Sequence, residues 1–253
     1  MLNRESRQKY AVKHTSEMYK KYPSLIDISI KNSIIYSENN FLNENINEKM
    51  NIVVDPIDSV SAILKYKNKN KKIAVLNFAS YKNPGGGFLG GSIAQEEALC
   101  AESYLYNVLK EFENSFYEEN RKDVNSALYK NRGIYSPNVL FMRDDTREFC
   151  DVITIACPNK KAARDFYDVS ESYNKEILRK RIEFVLNVAK SNSVEILILG
   201  AFGCGVFGQN PEEVAEIFKE FLENEFKCFE TVVFAIPEGK NKNLKEFKKV
   251  FKK

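Results

Sequence analysis

A single histidine and no tryptophan occur in 253 residues. A Ser-His-Asp triad, a Cys-His pair or a multi-histidine metal site would each depend on that one imidazole, His14. It lies in an amphipathic N-terminal stretch, far in sequence from any glycine-rich loop, and is expected to be an ordinary, partly exposed side chain. Cysteine offers little more. Cys100, Cys150, Cys157, Cys204 and Cys228 are odd in number, widely spaced and free of any Cys-x-x-Cys pair, which fits a reducing compartment better than a zinc site or disulfide framework. Carboxylates are left as the agents of any chemistry, and no metal or redox cofactor is expected.

Charge of one sign is also scarce. Lys plus Arg total 38 against 35 Asp plus Glu, and a net charge of +3 from dispersed residues does not describe a nucleic-acid track. The exception is the lysine-rich end over residues 240–253, read as a solvated helix face, with an electrostatic contact as the other reading. The longest apolar run, residues 196–202, is far short of the roughly 18 residues that a membrane span needs. The first residues carry no apolar signal segment, so a cytoplasmic protein without a membrane partner is expected.

What is present suffices for a core, with 43% hydrophobic and 12% aromatic residues. An Asn- and Glu-rich segment over residues 38–49 reads as an exposed linker, which divides the chain into an N-terminal accessory region, 1–48, and a main domain, 49–253. Residues 3–19 read as a helix and 28–36 as a β-rich run. Downstream, apolar runs at 52–54, 73–78, 152–156, 196–199 and 231–236 alternate with helical patterns at 59–67, 94–116, 173–190 and after Pro211, with an irregular middle over 117–147. Runs that are apolar throughout imply strands covered on both faces, hence a three-layer α/β/α fold with a mixed, largely parallel sheet. Ligands in such sheets sit beyond the carboxyl ends of the strands.

Two of those runs end in glycine-rich loops. The first carries Gly85, Gly86, Gly87, Gly90 and Gly91, leaving two backbone segments without Cβ atoms so that a ligand can approach closely. Ser92 is expected to cap the following helix, with Gln95 completing a capping box. On a helical wheel through Ala94, Ala98, Ala101, Leu105, Val108 and Phe112, Glu97 falls toward the interior and Glu96 nearly opposite. Burial raises a carboxyl pKa and the helix dipole lowers it; a proton donor near neutral pH needs burial to win. Neighbouring carboxylates on one turn cannot flank a glycosidic bond from two sides, so one acid/base with a positioning partner is the only catalytic arrangement open to them. As helix N-terminal acids they would equally suit the macrodipole alone.

The second loop holds Gly203, Gly205 and Gly208 in a Gly-x-Gly-x-x-Gly spacing before Pro211, a residue suited to the first helical turn. Main-chain N–H groups at a helix start are built to hold a diphosphate. Redox use of a dinucleotide is disfavoured, since one further strand remains and Glu238 lies beyond the usual offset for a ribose-binding acid. Phe207 is expected to pack on a ligand or on the core, and Cys204 to be a small packing residue.

Together these residues resemble the microbial-type poly(ADP-ribose) glycohydrolase family of the macrodomain superfamily. Its motif is a Gly-Gly-Gly segment, six to eight residues, then Gln-Glu-Glu; seven residues, 88–94, intervene here. The likeness extends to Asn77-Phe-Ala-Ser80, Asn83-Pro84, Tyr135-Ser-Pro137, Arg143-Asp-Asp145 and Gly203-Cys-Gly-Val-Phe-Gly208. The resemblance implies a macrodomain that hydrolyses ribose-ribose bonds of poly(ADP-ribose), releasing ADP-ribose from chain ends. It implies Glu97 as general acid/base and Glu96 as the residue holding ribose hydroxyls. Gly85, Gly86, Gly87, Gln95 and, less directly, Asn83 would shape the ribose pocket, and Gly203, Gly205, Val206, Phe207 and Gly208 the diphosphate and distal ribose site. A hydrolase of single ADP-ribose groups on protein or nucleic acid, and a non-catalytic ADP-ribose reader, are the competing readings.

Overall fold

The computed structural model describes residues 3–38, 50–239 and 241–252. All of the expected linker but residue 38 lies outside the described residues. The chain opens with α1 (Arg4–Lys21), α2 (Pro23–Asn32) and β1 (Ile34–Ser37), followed by β2 (Asn51–Asp55), α3 (Ser59–Tyr66) and β3 (Ile73–Phe78). Next come α4 (Gln95–Ala101), α5 (Leu105–Lys110), a π-helical turn (Glu113–Tyr117) and α6 (Glu118–Lys122). The remainder is β4 (Arg132–Arg143), β5 (Thr146–Ile155), α7 (Lys160–Tyr167), α8 (Glu171–Ser191), β6 (Ile196–Leu199), α9 (Pro211–Asn224), β7 (Thr231–Ala235) and α10 (Asn243–Val250).

Seven strands form one sheet in the order β1-β4-β5-β3-β6-β7-β2. The five strands from β5 to β2 run parallel, while β4 is antiparallel to both its neighbours. This is the expected mixed, largely parallel sheet. Alternation along β3 sends Ala74 and Leu76 into the core beneath α8 and α9, and Ile73 and Val75 into the core shared with α3, α4 and α5. Each face of the central strand is thus covered, which is why its sequence is apolar without a polar face.

Three expectations are corrected. Residues 28–32 belong to α2, not to a strand. Pro23 starts that helix at its first turn, and Ile26 and Ser29 are its buried positions, so tertiary burial overrides the β-branched composition. The irregular middle contains a long hairpin instead, in which Arg143 pairs with Thr146 across Asp144 at φ 52°. The helix over 94–116 is broken after Ala101, and Ser103 there bridges to Phe141 of the hairpin.

The N-terminal segment packs on the rest. β1 joins the sheet edge through β4, and Ala11, Met18 and Ile26 share a core with α3 to α5. At the other end α10 buries Phe247 against Phe234 of β7 and leaves Lys245, Lys248 and Lys249 exposed, as a solvated helix face requires.

Candidate active site

The carboxyl ends of β3 and β6 part from each other. β6 pairs with β3 only through Val75, although β5 pairs with it through Phe78. Ala79 N donates to Ile155 O on the β5 side at 3.2 Å, so Leu76 O and Phe78 N face the side that β6 has left. Gln95 fills that gap. Its Oε1 accepts from Phe78 N at 2.8 Å, and its Nε2 donates to Leu76 O at 2.8 Å and to Ser59 Oγ at 3.1 Å. The Gln95 amide thereby substitutes for a strand partner and ties α4 to β3 and α3.

With α4 anchored in this way, both glutamates turn inward. Glu96 is 3% exposed and Glu97 8% exposed. Glu96 Oε1 accepts from Asn77 Nδ2 at 3.1 Å and Oε2 from Ser80 N at 2.7 Å. Glu97 Oε1 accepts from Gly87 N at 2.8 Å and Oε2 from Ala94 N at 3.0 Å. The wheel that set Glu96 outward fails because α4 is only seven residues long and is enclosed on two sides, by the end of β3 and by the glycine loop. Nor does Ser92 cap the helix: Ala94 is the N-cap, and Glu97 reaches back to its N–H while Ser92 stays exposed beside Gly87.

Burial pushes the Glu96 carboxyl up to about 8, with Glu97 adding to the rise, against the opposing hydrogen bonds from Ser80 N and Asn77. Glu96 is therefore largely protonated at neutral pH. The sequence assigns no role to Asn77 or Ser80; its signals for them are the Asn77-Phe-Ala-Ser80 likeness and, for Asn77, a polar residue inside an otherwise apolar strand.

Gly86 shows why the loop needs glycine. It sits at φ +60°, and a Cβ there would stand 2.7 Å from Glu96 Oε2 and 2.8 Å from Glu97 Oε1. Both carboxylates therefore converge on its backbone. Gly85 packs against Tyr106 and Cys100, and Gly87 supplies the N–H for Glu97. Asn83 is exposed and holds the loop through its main chain, its O accepting from Gly86 N at 3.1 Å.

The second loop closes on itself. Gly208 N donates to Gly205 O at 3.1 Å and Gln209 N to Gly203 O at 3.0 Å, while buried Gln209 is held by Asn174 and by Pro158 O. Val206 at its tip is 82% exposed, and among the described residues none but the chain neighbours comes within 4 Å of where a Gly205 Cβ would be. Phe207 is partly buried with its ring 6.2 Å from that of Tyr129, which stacks on Tyr81 of the first loop at 4.3 Å. These three aromatics join the two glycine loops. Cys204 packs against the core, and burial pushes its thiol up to about 12.

His14 departs from expectation. It is 7% exposed, and its Nε2 lies 2.8 Å from Ser103 O at the break after α4. Among the described residues no group of three or more His, Cys, Asp or Glu is placed to hold a metal ion, and no helix is long and apolar enough to cross a membrane.

The profile of the family described as "Microbial-type PARG, catalytic domain" matches residues 4–144. Solved structures extend the likeness to nearly the whole chain. The poly(ADP-ribose) glycohydrolase of Thermomonospora curvata is 29% identical with a TM-score of 0.87, covering 98% of this chain and 100% of that one. The same enzyme bound to the inhibitor ADP-HPD gives a TM-score of 0.84 at 29% identity, with the same coverage. The poly(ADP-ribose) glycohydrolase of Deinococcus radiodurans in complex with ADP-ribose is 32% identical with a TM-score of 0.82, covering 91% of this chain and 98% of that one. No curated protein sequence matches the chain.

Proposed function

Because the chain belongs to the microbial-type poly(ADP-ribose) glycohydrolase family, we propose that it hydrolyses the ribose-ribose O-glycosidic bond of poly(ADP-ribose) and releases ADP-ribose from chain ends. The observation that carries this reading is the pair of buried carboxyls, Glu96 and Glu97, converging on Gly86 at the carboxyl end of β3.

The same reading assigns the residue roles. The second loop, with Gly203, Gly205, Val206, Phe207 and Gly208, faces the diphosphate and distal ribose. The first loop, with Gly85, Gly86, Gly87 and Asn83, borders the ribose whose anomeric carbon is attacked. Gln95 supports the pocket from behind. Glu97 gives its proton to the leaving ribose oxygen as the anomeric C–O bond breaks, leaving an oxocarbenium-like sugar. Water then adds to the anomeric carbon, and its proton returns to Glu97. Glu96, largely protonated at pH 7, positions the ribose hydroxyls. Acid/base help of this kind contributes roughly 10²- to 10⁴-fold, so positioning supplies the rest.

In the same reading residues 49–253 form the catalytic macrodomain and residues 1–48 its accessory region. A cytoplasmic setting is supported by five free cysteines. The deciding experiment incubates the purified protein with poly(ADP-ribose) and, separately, with a mono-ADP-ribosylated target. Release of ADP-ribose from polymer is expected. Release from the mono-modified target alone, or tight ADP-ribose binding without any release, would overturn the assignment.

A further inference from the structure

Helix α1 buries only Ala11, His14 and Met18 of its 18 residues, so apolar burial alone does not fasten it. Polar side chains do. Near its start, Arg4 Nε donates to Gly90 O at 2.9 Å, Arg7 Nε to Gly91 O at 2.7 Å and Gln8 Nε2 to Gly90 O at 3.3 Å. Further along, Tyr10 Oη donates to Ala101 O at 2.9 Å and His14 meets Ser103 O. Tyr19 Oη donates farther along to Asn107 O and Glu111 Oε1, while these acceptors fall in two places, the turn of the first glycine loop and the break after α4. What lies between them is α4, the helix that carries Gln95, Glu96 and Glu97.

The turn itself leads to Glu97. Gly91 N donates to Phe88 O at 3.0 Å and Ser92 N to Gly87 O at 3.1 Å, which holds the carbonyl of Gly87, the residue whose own N–H, in the preceding peptide, donates to Glu97 Oε1. Gly91, at φ +70°, lies so close to α1 that a Cβ would stand 2.6 Å from Arg4 O. A seven-residue helix is too short to hold its own geometry, as isolated helices shorter than about 12 to 15 residues are marginal in water. Its carboxylates need external support.

We propose that Arg7, assisted by Arg4 and Gln8, is a positioning residue for glycosidic cleavage, with α1 serving as the strap that fixes the Gly87 amide against Glu97. The inference rests on the reading of Glu97 as acid/base given above. Arg7 touches no reacting atom; it acts through the Gly91 carbonyl. Arginine suits the task because its guanidinium presents its donors in a rigid planar fork. A shift of about 1 Å in a catalytic group costs on the order of 10²-fold in rate, which is the scale on which such a strap acts.

The test compares Arg7→Ala, Arg7→Lys and Arg4→Ala with the wild-type full chain. Arg7→Ala is expected to lower kcat on poly(ADP-ribose) roughly 10- to 100-fold while ADP-ribose affinity, measured by calorimetry, changes less than about threefold. Millimolar guanidinium should restore part of kcat in Arg7→Ala and none in Arg7→Lys. Amide hydrogen exchange at Gly87 should accelerate in Arg7→Ala. Unchanged kcat in a folded variant overturns the proposal, as does a loss of kcat and ADP-ribose affinity in equal measure without guanidinium rescue. Should the wild type bind ADP-ribose but release none from polymer, the catalytic reading fails; the strap is then decided by Gly87 exchange, which overturns it if unaltered.

Discussion

Asn77 Nδ2, buried within β3, donates to Glu96 Oε1 at 3.1 Å, which sets a neutral amide rather than a cation against a buried carboxyl. Without a counter-charge, burial governs that carboxyl and holds its proton up to about pH 8. An amide also suits both protonation states of Glu96: Nδ2 donates to the carboxylate, and Oδ1, which has no partner among the described residues, can accept from the acid once the amide turns over.

Linkage gives the sign of the stability effect. The unfolded chain releases the Glu96 proton near the ordinary value of 4.5, whereas the folded chain keeps it to about 8. Across that window the folded state binds more protons, so stability falls as pH rises, and the fall is complete above pH 8. Glu96→Gln cannot ionise and escapes this loss. Its stability relative to wild type should therefore rise between pH 5 and 8.5 in urea unfolding, and a difference that stays constant with pH would refute the raised value.

The same chemistry separates the two glutamates in kinetics. Glutamine imitates a protonated carboxyl, so Glu96→Gln should retain much of the wild-type kcat at pH 7. Glu97→Gln cannot carry a proton to and from the ribosyl oxygen and should lose roughly 10²- to 10⁴-fold in kcat, the usual range for a lost general acid/base. Steady-state release of ADP-ribose from polymer measures both. Equal losses in the two variants would contradict the division of roles.

Gly86→Ala probes the convergence of the two acids. The new methyl would collide with Glu96 Oε2 and Glu97 Oε1 at a backbone angle that alanine disfavours. Loss of activity should exceed about 10²-fold, with the strain costing about 1 kcal/mol or somewhat more in stability. Activity near wild type, with the fold intact, would show that the carboxyls need not be held where they are.

Much of this architecture was legible because its signals are local. β3, β6 and β7 read correctly from apolar runs, broken in β3 only by Asn77, and α3 and α9 from helical spacing, with Pro211 at the first turn of α9. The motif spacing also located both glycine loops and both acids. The direction of Glu96 was not legible, because the wheel assumed one long helix and the break at Ser103 depends on a bridge to Phe141, distant in sequence. Likewise α2 was hidden by its β-branched residues, and the strap from Arg7 to Gly91 spans 84 positions, with no local pattern to announce it. Gln95 was expected in the pocket wall; its use as a substitute strand partner follows only from where β6 diverges.

Arg143 offers a last test, on stability rather than turnover. Its guanidinium lies between two carboxylates, donating to Glu102 at 2.5 and 2.7 Å and to Asp58 at 2.9 and 3.0 Å, with Ser61 Oγ at 2.5 Å. It thus pins the break after α4 to the start of α3. Burial alone would raise the Asp58 carboxyl, but the bonds from Arg143 and Ser61 prevail and hold it well below the usual carboxylate range. A depressed pKa contributes stability at and above the ordinary value, and that contribution is lost as pH falls below it. Arg143→Ala should cost about 1 to 3 kcal/mol at pH 7, a range kept modest because the group is partly exposed to solvent. The cost should shrink toward pH 3, where Asp58 in the variant is largely protonated and the unpaired charge is relieved. Urea midpoints at the two pH values measure it, and a cost that is no smaller in acid would show that Arg143 acts through packing instead of charge.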